Sequence, residues 1–208
     1  MILQKNKLLY IAITLLFSIT WIWAAINPLH PDDWILENIL VVMFVPFVFW
    51  ASRYFLFSNT SYILVTIFMI LHVIGSHYTY AEVPFGVNIG AWLGAERNMY
   101  DRLVHLLFGV VFTYPLFEYL QKKVQIKGFL VYFVSFMTVS AFAGFYEVIE
   151  WIAASVVDPE AGAAFLGTQG DVWDAQKDMA LAIVGSLVVL YIVWFSRLFT
   201  HKPKELLG

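Results

Sequence analysis

Six stretches of this chain are too long and too apolar to be buried by their neighbours in a protein of 208 residues. A bilayer's hydrocarbon core takes about 20 helical residues to cross, and on that measure the stretches read as transmembrane spans. They cover residues 8–26, 37–50, 61–77, 102–120, 128–151 and 174–199. Composition agrees: 61% of residues are hydrophobic, only 13% are charged, and the mean hydropathy is +0.77. The connections are too short to hold a separate globular unit. The expectation is one all-α polytopic membrane domain over residues 1–208, a bundle of six transmembrane helices.

The first span exceeds the usual apolar core of a signal peptide, and Asn27-Pro28 lacks the small residues of a cleavage site. It reads as a retained span. There is no cysteine, hence neither a disulfide nor thiolate chemistry. No basic patch with interleaved aromatics is present, so the sequence gives no reason to expect nucleic acid as a partner. Membrane lipids are the expected surroundings.

Charge orients the bundle. Lys5, Lys7, Arg53, Lys122, Lys123, Lys127, Arg197, Lys202 and Lys204 all fall on one side of six spans. The positive-inside rule makes that side the cytoplasm and puts both termini there. Of the acidic residues only Glu118 and Glu205 join them. The two longest connections, 78–101 and 152–170, lie on the outer side, and the first carries an apolar, glycine-bearing run over 83–93 that suits a re-entrant or interfacial helix. The first two spans read as scaffold. Small residues at spacing four, Ser140 with Gly144 and Ala182 with Ser186, predict close packing of the fifth span on the sixth.

Polar chemistry gathers at the outer ends of spans three to six. The third ends with His72, Ser76 and His77. Asp101 and His105 share a face of the fourth at i, i+4, and Glu147 and Glu150 of the fifth stand at i, i+3. Gly167-Thr168-Gln169-Gly170-Asp171-Val172-Trp173-Asp174-Ala175-Gln176-Lys177-Asp178 opens the sixth, and its three aspartates fall on one helical face. Asp101, Glu147, Glu150, Asp171, Asp174 and Asp178 outnumber Arg97, Arg102 and Lys177 two to one. Ion pairing alone therefore leaves carboxylates over, and the acidic stretch is expected to need more than its bases.

Three readings account for that surplus. The cluster can be structural or bind a cation or a polar, lipid-type headgroup, including a lipid-linked small molecule. It can be catalytic, a metal-dependent or acid–base hydrolase or transferase on an envelope lipid, with either a divalent metal or Asp101 and His105 activating water and Glu147 as the acid–base partner. It can carry protons for a transporter. Carboxylates with imidazole suit Zn²⁺, Mn²⁺ or non-haem iron, which makes His72, His77, His105, Glu147, Glu150, Asp171, Asp174 and Asp178 the candidate metal ligands. Arg102 and Lys177 are the candidate contacts to a bound substrate.

The motifs His72…Gly75-Ser76-His77-Tyr78, Tyr100-Asp101-Arg102-x-x-His105, Tyr146-Glu147-x-x-Glu150-Trp151 and Gly167-Thr168-Gln169-Gly170-Asp171-x-x-Asp174 resemble the YjdF family of bacterial inner-membrane proteins over nearly the whole chain. The last three spans also resemble VanZ-like proteins. There Asp101, Arg102 and His105 match one helix, Glu147 or Glu150 the next, and Asp174 the last, with Asp178 in place of an asparagine and the turn arginine missing. These resemblances imply a bacterial inner membrane and an envelope setting, not a reaction.

Overall fold

The computed structural model describes residues 6–157, 162 and 166–200. Among them are seven helices: α1 (Lys7–Ala24), α2 (Pro31–Ser52), α3 (Asn59–His77), α4 (Pro84–Leu93), α5 (Tyr100–Lys122), α6 (Phe129–Val156) and α7 (Asp174–Thr200). All but α4 are long and apolar enough to cross a membrane. The protein is an all-α polytopic membrane protein.

The surface is inverted relative to a soluble fold. Leu8, Ile11, Leu15, Leu16, Ile19 and Ile22 of α1 stand exposed, where acyl chains would cover them. Serine, threonine, asparagine and histidine lie inside. Lipid is as apolar as leucine, so helices gain little by hiding apolar faces from it; close backbone approach and hydrogen bonds hold them together instead. Helix α5 is the hub. It packs against α3, α4, α6 and α7, while α1 and α2 join the bundle through α3.

The α5–α7 seam depends on glycine. A Cβ on Gly109 would stand 1.9 Å from the Ala182 carbonyl oxygen, and one on Gly185 2.2 Å from that of Leu106. Beside them Thr113 Oγ1 donates to the Gly109 carbonyl at 2.6 Å, which leaves its oxygen to accept from the Ser186 hydroxyl at 2.8 Å. Ala182 and Ser186 thus serve contact with α5, not with α6 as the spacing predicts; of the small residues on α6, Gly144 does face α7, opposite the Met179 sulfur. At the far end Glu118 locks α3 to α5. Its carboxylate accepts from Ser58 N–H at 3.0 Å, from Ser61 Oγ at 2.6 Å and from Lys122 Nζ at 2.8 Å.

Helix limits differ from the expected spans where polar residues start a helix. Helix α2 begins at Pro31, with Asp32 and Asp33 in its first turn, because proline suits the first helical position and acids suit a helix N-terminus. Helix α6 runs on to Val156. The apolar run at 83–93 is α4, begun by Pro84 and stopped by Gly94 in the left-handed region at φ 69°. Its Phe85, Val87, Trp92 and Leu93 are exposed, as an interfacial helix requires. The expected long loop at 152–170 falls partly on 158–161 and 163–165, outside the described residues.

Candidate functional site

At one end of the bundle the starts of α2, α5 and α7 meet the ends of α3 and α6. Two clusters form there, side by side.

The first joins the start of α5 to the start of α7. Arg102, 5% exposed, reaches three aspartates. Its Nη2 donates to Asp174 Oδ1 at 2.5 Å and to Asp171 Oδ2 at 3.1 Å. Its Nη1 donates to the Asp174 carbonyl at 2.8 Å and faces Asp178 Oδ2 at 2.5 Å. Arg97 Nη1 adds a second contact to Asp174 Oδ1 at 2.5 Å and stands 3.6 Å from Asp171 Oδ2. Lys177 Nζ donates to Asp171 Oδ2 at 2.6 Å. All three bases are therefore committed to the three aspartates of the 167–178 stretch. This corrects the expectation that ion pairing leaves those acids unexplained; the surplus lies elsewhere.

Local backbone sets this up. Helix α7 begins only at Asp174, so Asp171 sits in the preceding turn rather than on the helical face shared by Asp174 and Asp178. There its Oδ1 accepts from the Trp173 N–H at 3.1 Å, and its backbone N–H donates to the Thr168 carbonyl at 2.9 Å. The Lys177 ammonium, with the Trp173 N–H, holds the Asp171 carboxyl below the usual carboxylate range. Gln169, at φ 51°, clamps the segment before α5: its Oε1 accepts from the Asn98 N–H at 2.8 Å, and its Nε2 donates to the Asn98 carbonyl at 3.2 Å. Asn98 in turn caps Tyr100 N–H and donates to the Val83 carbonyl. One carboxamide thus aligns the turn, the start of α5 and the approach to α4.

The second cluster centres on His105, 8% exposed. Its Nε2 lies 3.4 Å from Asp101 Oδ1, and its Nδ1 lies 3.6 Å from Glu147 Oε1. Two sets of ligand atoms fall within 4.8 Å of one another: Asp101, His105 and Asp178, and His105, Glu147 and Glu150. Glu147 Oε1 and Asp178 Oδ1 are buried without a hydrogen-bond partner. A buried carboxylate oxygen left unpaired is costly, and it marks a place where another group fits.

Helix α2 contributes what sequence reading assigned to scaffold. Glu37, 6% exposed, lies in electrostatic range of Asp101, His105 and Glu150. The sequence signal is the i, i+4 spacing of Asp33 and Glu37, which puts both on one face of α2; in the structure both are buried.

Two candidate ligands are placed otherwise. His72 uses both ring nitrogens: Nε2 meets the Glu37 carbonyl at 3.1 Å and Nδ1 the Tyr80 hydroxyl at 2.5 Å. A carbonyl only accepts, so Nε2 carries the proton and Tyr80 donates to Nδ1. Burial pushes the Tyr80 phenol well above its ordinary range, which keeps that proton in place. His77 turns to α1, with Nδ1 3.1 Å from the Ala24 carbonyl and its ring 4.6 Å from that of Trp23. The structure therefore gathers His105, Asp101, Glu147, Glu150 and Asp178, holds Asp171, Asp174, Arg102 and Lys177 in the adjoining ion-pair cluster, and leaves His72 and His77 outside both ligand sets.

Residues 9–199 match the family described as predicted membrane protein (DUF2238). The chain is also 33% identical over 183 residues to the inner membrane protein YjdF of Escherichia coli strain K12, an alignment that covers 87% of each protein. No solved structure matches. The chain belongs to the DUF2238 family of membrane proteins, and its six apolar helices together with that relative make it a multi-pass inner-membrane protein.

Proposed function

We propose that this member of the family holds a divalent cation with His105, Glu147 and Glu150, in a pocket that opens toward the outer face of the inner membrane. The observation that carries the reading is Glu147 Oε1, buried without a hydrogen-bond partner and 3.6 Å from His105 Nδ1, with a Glu150 oxygen in the same set. Asp101, Glu147, Glu150 and Glu37 surround one imidazole, and the nearby guanidiniums are spent on the α7 aspartates. A divalent ion would offset two of those charges and fill the unpaired oxygen's valence.

Charge chooses between the two ligand sets. The set with Asp178 places its ion beside the Arg102 guanidinium, 2.5 Å from Asp178, where like charge repels. The set with Glu147 and Glu150 has no such neighbour among its contacts. Asp101, on the far ring nitrogen at 3.4 Å, then orients His105 and raises its basicity, as carboxylates behind metal-bound histidines do. One imidazole with two carboxylates suits Zn²⁺, Mn²⁺ or Fe²⁺, and three protein ligands leave positions for water or a headgroup oxygen.

The outward direction rests on the basic residues collected at the opposite ends of the helices, among them Arg53, Lys122, Lys123 and Lys127. Both termini are then cytoplasmic.

Elemental analysis of detergent-purified protein after Zn²⁺ or Mn²⁺ loading and desalting tests the site. About one equivalent per chain is expected, lost in His105→Ala and Glu147→Gln and retained in His72→Asn. A wild-type protein that retains no metal, or a His72→Asn variant that loses it while Glu147→Gln keeps it, sinks the proposal.

A further inference from the structure

Three cations converge on one carboxylate oxygen. Asp171 Oδ2 lies 2.6 Å from Lys177 Nζ, 3.1 Å from Arg102 Nη2 and 3.6 Å from Arg97 Nη1. That is more positive charge than one aspartate needs, and it is the arrangement that planar guanidiniums and an ammonium make around a phosphate. Arg97 and Arg102 are fixed from elsewhere: both hold Asp174 Oδ1, and Arg102 also holds Asp178. They keep their positions if Asp171 leaves.

Asp171 is free to leave. Its side chain keeps 19% exposure beside Lys177 at 56%, whereas the Arg102 side chain is 5% exposed. The carboxylate is the outermost acid of the cluster and sits in a turn, not in a helix. Its departure requires a side-chain rotation and no helix movement, since the turn keeps the Asp171 N–H to Thr168 carbonyl bond. Charge balance then favours an anion. Arg97, Arg102 and Lys177 against Asp171, Asp174 and Asp178 sum to zero; without Asp171 the set is net +1.

The surroundings say where the anion comes from. Val172 and Trp173, the next two residues, are exposed and apolar, as are Trp92 and Leu93 of α4 at the same end. Helix α4 packs onto this rim: a Cβ on Gly90 would stand 2.4 Å from the Arg97 carbonyl oxygen. A cationic rim flanked by exposed tryptophans lies at headgroup depth in a bilayer.

We infer that the Arg97–Arg102–Lys177 rim is a binding site for a phosphate-type anion, that Asp171 occupies it in the ligand-free protein, and that a phosphate-bearing headgroup displaces Asp171. Arg102 contacts Asp178, and Asp178 lies in one ligand set with Asp101 and His105, so a phosphate at the rim is delivered next to the His105 pocket. The inference rests on the three cations and not on a bound metal.

Binding is measured on full-length protein in uncharged detergent with EDTA present, so that absence of a metal site cannot abolish it. The probes are short-chain phosphatidic acid, short-chain diacylglycerol and inorganic phosphate. Phosphatidic acid is expected to bind and diacylglycerol not to. Asp171→Asn, which keeps an oxygen for the Trp173 N–H, should tighten phosphatidic acid binding about tenfold, and Lys177→Gln should weaken it about fivefold. Inorganic phosphate that binds as tightly as phosphatidic acid, with the same two mutational shifts, assigns the rim to free phosphate; preference for the lipid assigns it to a headgroup. Equal binding of diacylglycerol, or an affinity unmoved by both substitutions, overturns the inference.

Discussion

Gly109 and Ala182 bring the backbones of α5 and α7 so close that a methyl group on the glycine would lie 1.9 Å from the alanine's carbonyl oxygen. This contact sets the reach of everything above it: Arg102 is two turns from Gly109 on α5, and Asp178 one turn from Ala182 on α7. Backbone cannot move aside as a side-chain tip can, so Gly109→Ala forces the helices apart. The expected loss is roughly 3 kcal/mol, the upper end of overpacking effects, with the thermal midpoint in detergent falling to match. Gly144→Ala is the control. Its Cβ would meet the Met179 sulfur at 3.5 Å, an ordinary contact, and the loss should stay below about 1 kcal/mol. Equal midpoints for the two variants would mean that α5 and α7 are not held this closely.

Among the described residues, Arg102 is the one cation that Asp174, Asp178 and Asp171 all share. Arg102→Ala leaves Asp178, 2% exposed, without its counter-ion. Removing one partner of a buried pair costs about 3–5 kcal/mol, whereas an apolar pair of similar volume can be neutral. Arg102→Met should therefore yield a polydisperse or low-melting protein, and Arg102→Met with Asp178→Leu should recover part of the loss. Arg102→Lys should recover little, because a single ammonium nitrogen cannot reach the three acids that the guanidinium serves from two. Size-exclusion profiles and melting curves of wild type, Arg102→Met, Asp178→Leu and the double variant form the cycle. A double variant worse than the sum of the singles would show that the pair is not the stabilising unit.

The Asp171–Lys177 contact carries a pH signature whose sign follows from the depressed Asp171 value. A carboxyl that is more acidic folded than unfolded contributes stability above its ordinary value of about 3.9, and that contribution fades as the pH falls through the folded value. The melting difference between wild type and Asp171→Asn should thus be flat from about pH 8 to about pH 5 and shrink below about pH 4. A difference that grows on acidification would reverse the assignment of Asp171 as the ionised partner. Because Lys177 is exposed and Asp171 partly so, raised salt should also narrow the difference.

The membrane spans were readable because apolar length is a one-dimensional property: residues 61–77 and 102–120 lie within α3 and α5. The clustering of Asp101, His105, Glu147, Glu150 and Asp178 was readable for a related reason, since six crossings bring alternate helix ends to one side. Pairing was not. Which acids Arg102 would take depends on how α5 and α7 rotate about their axes, and that rotation is fixed by Gly109 and Gly185, which as lone glycines carry no pattern. Ala182 and Ser186 do carry a pattern, but small-residue spacing names a face without naming its partner. Glu37 falls in a span that reads as scaffold; its i, i+4 spacing from Asp33 names a shared face, and only tertiary packing turns that face toward α5. Gln169 was one polar residue in a loop until its two bonds to Asn98 gave it a task.

Tyr80 and His72 separate structural histidine from site histidine. The Tyr80 hydroxyl is the donor to His72 Nδ1 at 2.5 Å, the Glu37 carbonyl accepts from Nε2 at 3.1 Å, and Glu37 Oε2 stands 4.0 Å from Nδ1, beyond hydrogen-bond reach. Tyr80→Phe keeps the ring against Gly75 and Tyr100 but leaves a buried imidazole nitrogen unpaired, which should cost about 1–3 kcal/mol. His72→Phe with Tyr80→Phe removes the unpaired atom and should melt higher than Tyr80→Phe alone. Neither change touches His105, Glu147 or Glu150, so metal retention should equal that of the wild type in any Tyr80→Phe protein that stays monodisperse. Glu147→Gln is expected to show the opposite pattern: metal retention lost, and melting of the metal-free protein unchanged or raised, since a buried charge with an unpaired oxygen has been neutralised. If Tyr80→Phe releases metal and Glu147→Gln does not, the ion belongs at His72, and the division between a locking histidine and a ligating one has to be redrawn.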